Sequence, residues 1–568
     1  MNKTPSPYWP ANLPSHMTIP NTNVFYNAEV SATRFPNKAF ILFYDTPVTF
    51  AEFRQEAEWV AGFLQQECGV VSGDRVLLYL QNCPQWMIGF YGILRANAIA
   101  VPANPMSRTG ELRHLISNSG AKTVIVAQDL YAQLEPLLSD MQERDRPHVI
   151  VVTYSDYVRS ATMPAVDIPA FISASRYIDA AEVHHWSDAL GRRLMPGPLT
   201  AGPDDLCVFP YTSGTTGQPK GCMHTHRNVM STLVASAHWL ARNQDAVQLS
   251  VLPLFHVTGM QGDMNGALYT GATVVVLPRW NRDAAAAAVE QYRITDWQAI
   301  STMVVDFVSN PEVAAYDLSS LKRISGGGAP MPEAVSQKLK ALTGLSFIEG
   351  YGMSETMAAT HKNPLDRPKA QCLGIAGFDV DARVIDPVTR KELGVDESGE
   401  LVVNGPQVMQ GYWRNPEETA KAFVELDGKR FLRTGDLVRV DSEGYYFMTD
   451  RLKRMINASG FKVWPAEVES LMYGHPAVQE ICVIGTLDER RGETVKALIV
   501  LASSFRELTQ PDDIIDWARL HMAVYKAPHV VEFVTSLPKS GSGKILWREL
   551  QDQETSRAAE DRKRAYAQ

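Results

Sequence analysis

The sequence predicts an α/β protein, with a large N-terminal domain of parallel, helix-covered sheets, a β-rich subdomain and a small α+β C-terminal domain. Three observations predict it. From about Val76, short apolar runs alternate with amphipathic stretches, the rhythm of parallel strands joined by helices. After Gly374, apolar runs are separated by Gly, Pro and Asp turns without long helical periods, which reads as a β-rich region. Beyond Asp450 the patterns mix again in a stretch long enough for its own core. The expected divisions are residues 1–450, with about 375–450 as the β-rich subdomain, and 451–568.

In order along the chain, Val76 to Leu80 reads as a strand, Pro84 to Arg95 as a helix and Ile99 to Val101 as a strand. A helix over Thr109 to Ser119 follows, then strands over Thr123 to Val126 and Val149 to Val152. Residues 153–203 have weak periodicity and receive no assignment. The alternation resumes with strands over Thr273 to Leu277, Leu321 to Ile324 and Ser346 to Ile348, and helices over Asp283 to Tyr292 and Pro332 to Leu342. Val380 to Ile385, Gly399 to Val403 and Tyr445 to Met448 read as strands of the β-rich part. In the last unit Pro465 suits a first helical turn leading Ala466 to Met472. Strands over Ala477 to Ile484, Thr494 to Leu501 and Val530 to Val534, and a helix over Asp512 to Met522, complete it before a polar tail, Gln551 to Gln568.

Composition excludes several classes. With 568 residues, 45% apolar and 21% charged, the chain has the balance of a soluble globular protein. A net charge of −9 argues against a general nucleic-acid binder while leaving room for a local basic pocket. Six cysteines never form C-x-x-C and point to a reducing, cytoplasmic setting. The start is proline-rich without an apolar core, so no signal peptide is expected. The longest apolar stretch, Trp86 to Leu94, is too short for an integral membrane segment.

The most informative segment is Tyr211-Thr212-Ser213-Gly214-Thr215-Thr216-Gly217-Gln218-Pro219-Lys220-Gly221. Four Ser/Thr hydroxyls, three glycines and one lysine fall within it. Glycines let backbone N–H groups turn toward one anion, hydroxyls add donors, and Lys220 adds charge. That chemistry binds a polyphosphate, and the Walker pattern G-x-x-x-x-G-K-[ST] is absent. Composition alone also permits a flexible linker.

This segment resembles the phosphate-binding signature of the adenylate-forming enzymes: acyl- and aryl-CoA synthetases, peptide-synthetase adenylation domains and luciferases. Further resemblances follow in that family's order. Gly326-Gly327-Gly328-Ala329-Pro330 resembles the adenine-side turn, and Tyr351-Gly352-Met353-Ser354-Glu355-Thr356 the nucleotide and magnesium motif, which Glu349 and Gly350 precede. Arg433-Thr434-Gly435-Asp436-Leu437 resembles the ribose motif, Asp450-Arg451-Leu452-Lys453 the interdomain hinge, and Pro538 to Ile545 the C-terminal lysine motif.

The resemblance implies roles. Tyr351 would stack on adenine, Asp436 and Arg451 hold the ribose, and Glu355 with Thr212 ligate Mg2+. Lys544 would stabilise charge developing on the α-phosphate. Lys453 would be the hinge, and Ser459, Gly460 and Phe461 the loop passing coenzyme A's thiol. His256 would sit between the acyl pocket and the CoA channel, with Met303, Val304 and Phe307 on pocket walls. Met260, Met264 and Trp297 are further apolar candidates, and Asp263 and Asp306 find no place. His224 and His226 are read as structural or surface residues.

The implied function is an AMP-forming acyl-CoA synthetase with a mobile small domain, taking ATP, a carboxylic acid and coenzyme A. The apolar segments favour a medium- or long-chain fatty acid. Alternatives are an aryl- or branched-acid CoA ligase, an adenylating enzyme loading a carrier protein and, in another class, a non-catalytic nucleotide- or acyl-binding regulator. Neither nucleic acid nor an integral membrane segment is expected, and a homodimer is compatible with this reading. No G-x-S-x-G elbow occurs, which disfavours a hydrolase.

Overall fold

A computed structural model describes residues 6, 8–159, 166–180, 182–212, 218–451, 454, 456–458, 461–488, 492–541 and 543–566; for 450, 451, 457, 461, 462, 492 and 558–566 it describes the backbone alone. Among the described residues, one sheet has nine strands. Its consecutive neighbours Phe347–Met353, Arg323–Gly327, Asp296–Ala299, Val247–Ser250, Thr273–Val276 and Ala39–Phe43 pair in parallel. Antiparallel strands close both edges: Thr46–Thr49 at one, Ala358–Lys362 and Ile375–Ala376 at the other. The second sheet orders His224–Thr225, Leu206–Val208, Ile99–Pro102, Arg75–Tyr79, Thr123–Ala127, His148–Val152 and Val183–His185, parallel except at its first pair.

The helix Pro84–Arg95 explains how the two sheets share a core. Every residue from Pro84 to Leu94 is buried, as a helix apolar on all sides must be. Gly89 lies against Leu78 and Ile125 of the second sheet, while Tyr91 donates to Asn265 Oδ1, 2.9 Å away, among the helices of the first. Cys83 and Pro84 start the helix, with the Cys83 sulfur accepting from Trp86 N–H. The stretch too short for a bilayer is therefore interior packing.

A third, antiparallel sheet holds Asp381–Ile385, Gly399–Asn404, Phe423–Leu426, Lys429–Val440 and Tyr446–Arg451. A fourth holds Ile456–Ala458, Phe461–Val463, Val478–Asp488, Gly492–Leu501 and Val530–Phe533, backed by helices Pro465–Met472 and Pro511–His521. This is the mixed α/β architecture expected, with its β-rich part and small α+β part.

Three differences have physical causes. Residues 347–353 form a strand longer than Ser346 to Ile348, because Gly350 and Gly352 pair with Lys362 and Ala359 despite their weak strand preference. The unassigned 153–203 stretch contains the short strand Val183–His185 and helix Trp186–Gly191, anchored by buried Tyr154, Tyr157 and Trp186. The tail is not a loose polar segment: Trp547–Tyr566 is a helix. Gln551 exchanges hydrogen bonds with Gly485 at 2.9 and 2.8 Å, and Glu554 accepts from the buried Lys496 at 2.7 Å. Polar residues dock it through paired charges, which an apolar-period reading misses.

Candidate active site

The strands Tyr211–Thr212 and Lys220–Gly221 pair, setting Thr212 opposite Lys220 at the base of the hydroxyl- and glycine-rich segment. Ser213, Gly214, Thr215, Thr216 and Gly217 lie outside the described residues. Lys220 reaches Glu418 Oε2 at 2.7 Å, and its ammonium sits 4.7 Å from the Tyr412 ring centroid. Glu418 also pairs with Lys421, and hydrogen bonds from both lysines hold its carboxyl down to about 2. Tyr412 passes the connection on, donating its hydroxyl to Glu355 Oε1 at 2.9 Å.

Glu355 occupies a helical turn, Ser354–Thr356, directly after the strand Phe347–Met353. The turn is held from several sides. Thr356 Oγ1 bridges Met353 and Ala358, Met409 N–H donates to Glu355 O, and His224 Nε2 lies 2.7 Å from Ser354 O. Burial pushes the Glu355 carboxyl up, against its own backbone N–H, the Tyr412 hydroxyl and the Lys220 charge. A buried carboxylate facing a cleft is the hard oxygen donor a magnesium ion takes, with phosphate oxygens completing its shell.

Tyr351 donates to Asp436 Oδ2 at 2.6 Å, tying the first sheet to the long strand Lys429–Val440 of the third. Asp436 N–H bonds Thr434 Oγ1 at 3.1 Å, and Arg433 pairs with Glu400 at 2.7 Å. Arg451 lies opposite Asp436 in the neighbouring strand and is described by its backbone. Glu349 lines the cleft as well and accepts from Met331 and Gln371 N–H groups, and burial raises its carboxyl to about 8.

The C-terminal motif enters the same place. Gly541 lies against Asn104, Gly543 O accepts from Thr302 Oγ1 at 3.0 Å, and Lys544 runs along Gly328. His256 lines the cleft and accepts from Thr258 N–H at its Nδ1. Burial, then the Lys544 charge, pushes its imidazole down to about 3. Together these groups enclose a cleft of about 860 Å³ at the carboxyl ends of the parallel strands, where open α/β sheets place their ligands.

Thus Thr212, Lys220, His256, Gly327, Gly328, Tyr351, Ser354, Glu355, Asp436 and Lys544 meet at one cleft. Gly350, Gly352 and Met353 also line it. Ala329 and Pro330 do not: the strand ends at Gly327, Gly328 turns at φ +91°, and both following residues are exposed. Lys453, Ser459 and Gly460 lie outside the described residues, and Phe461 is described by its backbone in a strand.

The expected acyl wall is corrected. Met303, Val304 and Phe307 belong to the main hydrophobic core, at 6%, 0% and 1% exposure. Phe307 packs on Trp297 at 4.9 Å, so helix Ser301–Ser309 turns its apolar side into the protein. The cleft instead presents Thr232, Ser236, Gln261, Gln298 and Lys362. Asp263 and Asp306 also find places: Asp263 accepts from Gln248 at 2.8 Å, and Asp306 from Trp280 at 2.7 Å. His224 and His226 are both buried and structural, His226 Nδ1 accepting from Val24 N–H. Glu418 and Tyr412 carry no sequence signal beyond a Tyr followed by an acidic helix start; only folding sets them beside Lys220.

Residues 28–413 match the AMP-binding enzyme family, and residues 467–544 match its C-terminal domain. The chain belongs to the AMP-binding enzyme family. Lys220 and Glu355 fall in the first match, and Lys544 is the last residue of the second. A long-chain-fatty-acid–CoA ligase of Bacillus subtilis is 34% identical, over 96% of this chain and 97% of its own. A feruloyl-CoA synthase of Amycolatopsis is 34% identical, over 88% of this chain and 93% of its own. The solved structure of an anthranilate CoA ligase in complex with anthranoyl-AMP superposes with a TM-score of 0.85 at 25% identity, covering 97% and 99% of the two chains. Within the AMP-binding enzymes the chain is an acyl-CoA ligase.

Proposed function

We propose that this AMP-binding enzyme runs both half-reactions of an acid–CoA ligase in the cleft just described. One observation carries this: residues as distant in sequence as Lys220, Glu355, Asp436 and Lys544 converge on a single cavity. A substrate carboxylate attacks the α-phosphorus of ATP, forming an acyl-adenylate and releasing pyrophosphate. The thiol of coenzyme A then attacks the acyl carbon, and AMP leaves. Neither step needs an enzyme nucleophile; positioning and charge stabilisation suffice.

Lys220 and the Ser213–Gly217 segment hold the phosphates. The Tyr351 ring stacks on adenine, while Asp436 and Arg451 take the ribose hydroxyls. Lys544 supplies a cation where charge develops on the phosphoryl oxygens, stabilising the transition state more than the ground state. Glu355, with Thr212, would hold a magnesium ion; when bound, that ion neutralises phosphate charge. His256, kept neutral, closes the cleft beside Lys544 without adding positive charge. The division at residues 450 and 451 then separates a small domain that turns about Lys453 and brings Ser459, Gly460 and Phe461 to the thiol. Six buried, free cysteines support a reducing cytoplasmic setting. Among the described residues, no helix is long and apolar enough to cross a membrane.

For the acid, the relatives' names support a medium- or long-chain fatty acid. The polar wall at Lys362 and Gln298 favours a second reading, an aryl or otherwise substituted acid. Hydroxylamine trapping of acyl-adenylates across aliphatic, branched, aryl and dicarboxylic acids separates them. ATP should be converted to AMP and pyrophosphate, and Lys544→Ala should lower carboxylate-dependent pyrophosphate exchange about a hundredfold or more. Formation of ADP and orthophosphate, or undiminished exchange in the variant, would overturn the assignment.

A further inference from the structure

The cleft that Lys544 enters contains another lysine, Lys362, for which no ion pair is found among the described residues. Lys362 ends the strand Ala358–Lys362, next to the edge strand Ile375–Ala376, and pairs in register with Gly350, which pairs in turn with Gly327. The strand spacing puts the Lys362 backbone about 10 Å from that of Gly327, two steps across the sheet. Its side chain lines the cleft, and its ammonium donates to Ser236 Oγ at 2.5 Å.

Among the described residues, no carboxylate lies within ion-pair distance of Lys362. The contrast with its neighbour Arg242 is informative. Arg242 is equally enclosed, yet Asp296 lies 3.6 Å away and Gly262 O accepts from it at 2.9 Å. Burial and the Arg242 charge lower the Lys362 ammonium to about 7. An enclosed cation of this kind is costly unless something accepts from it. Its side chain is directed to the cleft and not to outer solvent.

The same wall is polar elsewhere. Gln298 Oε1 is buried with no hydrogen-bond partner. It cannot withdraw toward the helix behind it, since Gly262 is packed so closely that a Cβ there would fall 1.6 Å from that oxygen. Thr232 Oγ1 lies 2.5 Å from Gln261 Nε2, so hydroxyl and amide groups stand beside Leu240, Ile348 and Ala359 on this part of the cleft. An unsubstituted alkyl chain would offer Lys362 no acceptor beyond Ser236 and Gln298 Oε1 no donor.

We propose that Lys362 is a specificity-determining residue that selects acids with an oxygen acceptor, a hydroxyl or a second carboxylate, at the end remote from the reacting carboxyl. This rests on the acid–CoA ligase reading and specifies its substrate class. The strand spacing makes the acid one of aryl or medium-chain dimensions. The reacting carboxylate lies near Lys544 and Gly328, the distal oxygen accepts from Lys362, and Ser236 shares the ammonium.

The test compares matched pairs in AMP-forming turnover with ATP and coenzyme A: octanoate with octanedioate, and 3-phenylpropanoate with 3-(4-hydroxyphenyl)propanoate. In whichever series is used better, the oxygenated acid should have the higher kcat/KM by about tenfold, the equivalent of one charge-assisted hydrogen bond. Lys362→Met, similar in length and uncharged, should erase that preference. Because the readout is a ratio of two acids on one variant, lost stability does not imitate it. Equal use of both acids by the native chain, or a preference surviving in Lys362→Met, would overturn the inference. Absence of AMP formation with every acid would instead overturn the ligase reading, and this inference with it.

Discussion

His224 shows how a residue with no ligand contact shapes the site. It is buried, and its Nε2 donates to Ser354 O at 2.7 Å, holding the turn that carries Glu355. Burial pushes its imidazole down to about 4, from an ordinary value of 6.5. Between those values the unfolded chain takes up a proton that the folded chain refuses. The stability that neutral His224 contributes is therefore full above pH 6.5 and lost as pH falls toward 4. His224→Gln cannot titrate. The stability gap between the native chain and this variant, from urea midpoints, should shrink from pH 7 to pH 5 by up to about 1.4 kcal/mol per pH unit. A gap independent of pH would show that His224 does not carry the shift. Sequence reading gave this histidine the correct, unglamorous role; its contact with the Glu355 turn spans 130 residues and was invisible.

At the scale of elements, the strand Arg323–Gly327 ends in glycines for steric reasons. A Cβ on Gly326 would lie 1.7 Å from Ala299 O, and one on Gly327 2.2 Å from Gly350 O. Gly328 then takes φ +91°, with a Cβ position 2.9 Å from Lys544 Cε. Gly328→Ala should thus strain the backbone by about 1–2 kcal/mol and displace Lys544. We expect pyrophosphate exchange to fall at least about tenfold, the cost of weakening one transition-state contact, while thioester formation from supplied acyl-adenylate falls less. Equal loss of both steps would point to general destabilisation. The glycine run was legible as a motif, but which carbonyls and which lysine it must clear was not.

For the whole molecule, the proposed adenylation step relies on the C-terminal segment packed against the first sheet. Thr302 Oγ1 donates to Gly543 O at 3.0 Å, a contact beside Lys544 that spans 241 residues. Thr302→Val keeps the shape and removes the donor. One hydrogen bond is worth about 0.5–1.5 kcal/mol net, so adenylation should drop between about twofold and tenfold. Thioester formation from supplied acyl-adenylate should be unchanged if, as proposed, Lys544 acts in the first half-reaction alone. Stopped-flow measurement of each half-reaction distinguishes the two. A loss in the second step alone would assign this contact to the other arrangement of the small domain.

The sequence alone carried the strand–helix alternation, since periodicity is local, and the family with its motif residues, since each motif is a short contiguous run. It could not say which apolar side chains face the cavity. Met303, Val304 and Phe307 look like pocket walls by composition, yet they lie in the core because helix Ser301–Ser309 turns that side onto Trp297. Nor could it single out Lys362, which resembles any lysine at a strand end. Its enclosure beside Ser236 and Arg242, without an ion pair among the described residues, exists only once segments more than a hundred residues apart have packed together. Burial and charge balance are sums over spatial neighbours, and only the tertiary structure decides who those neighbours are.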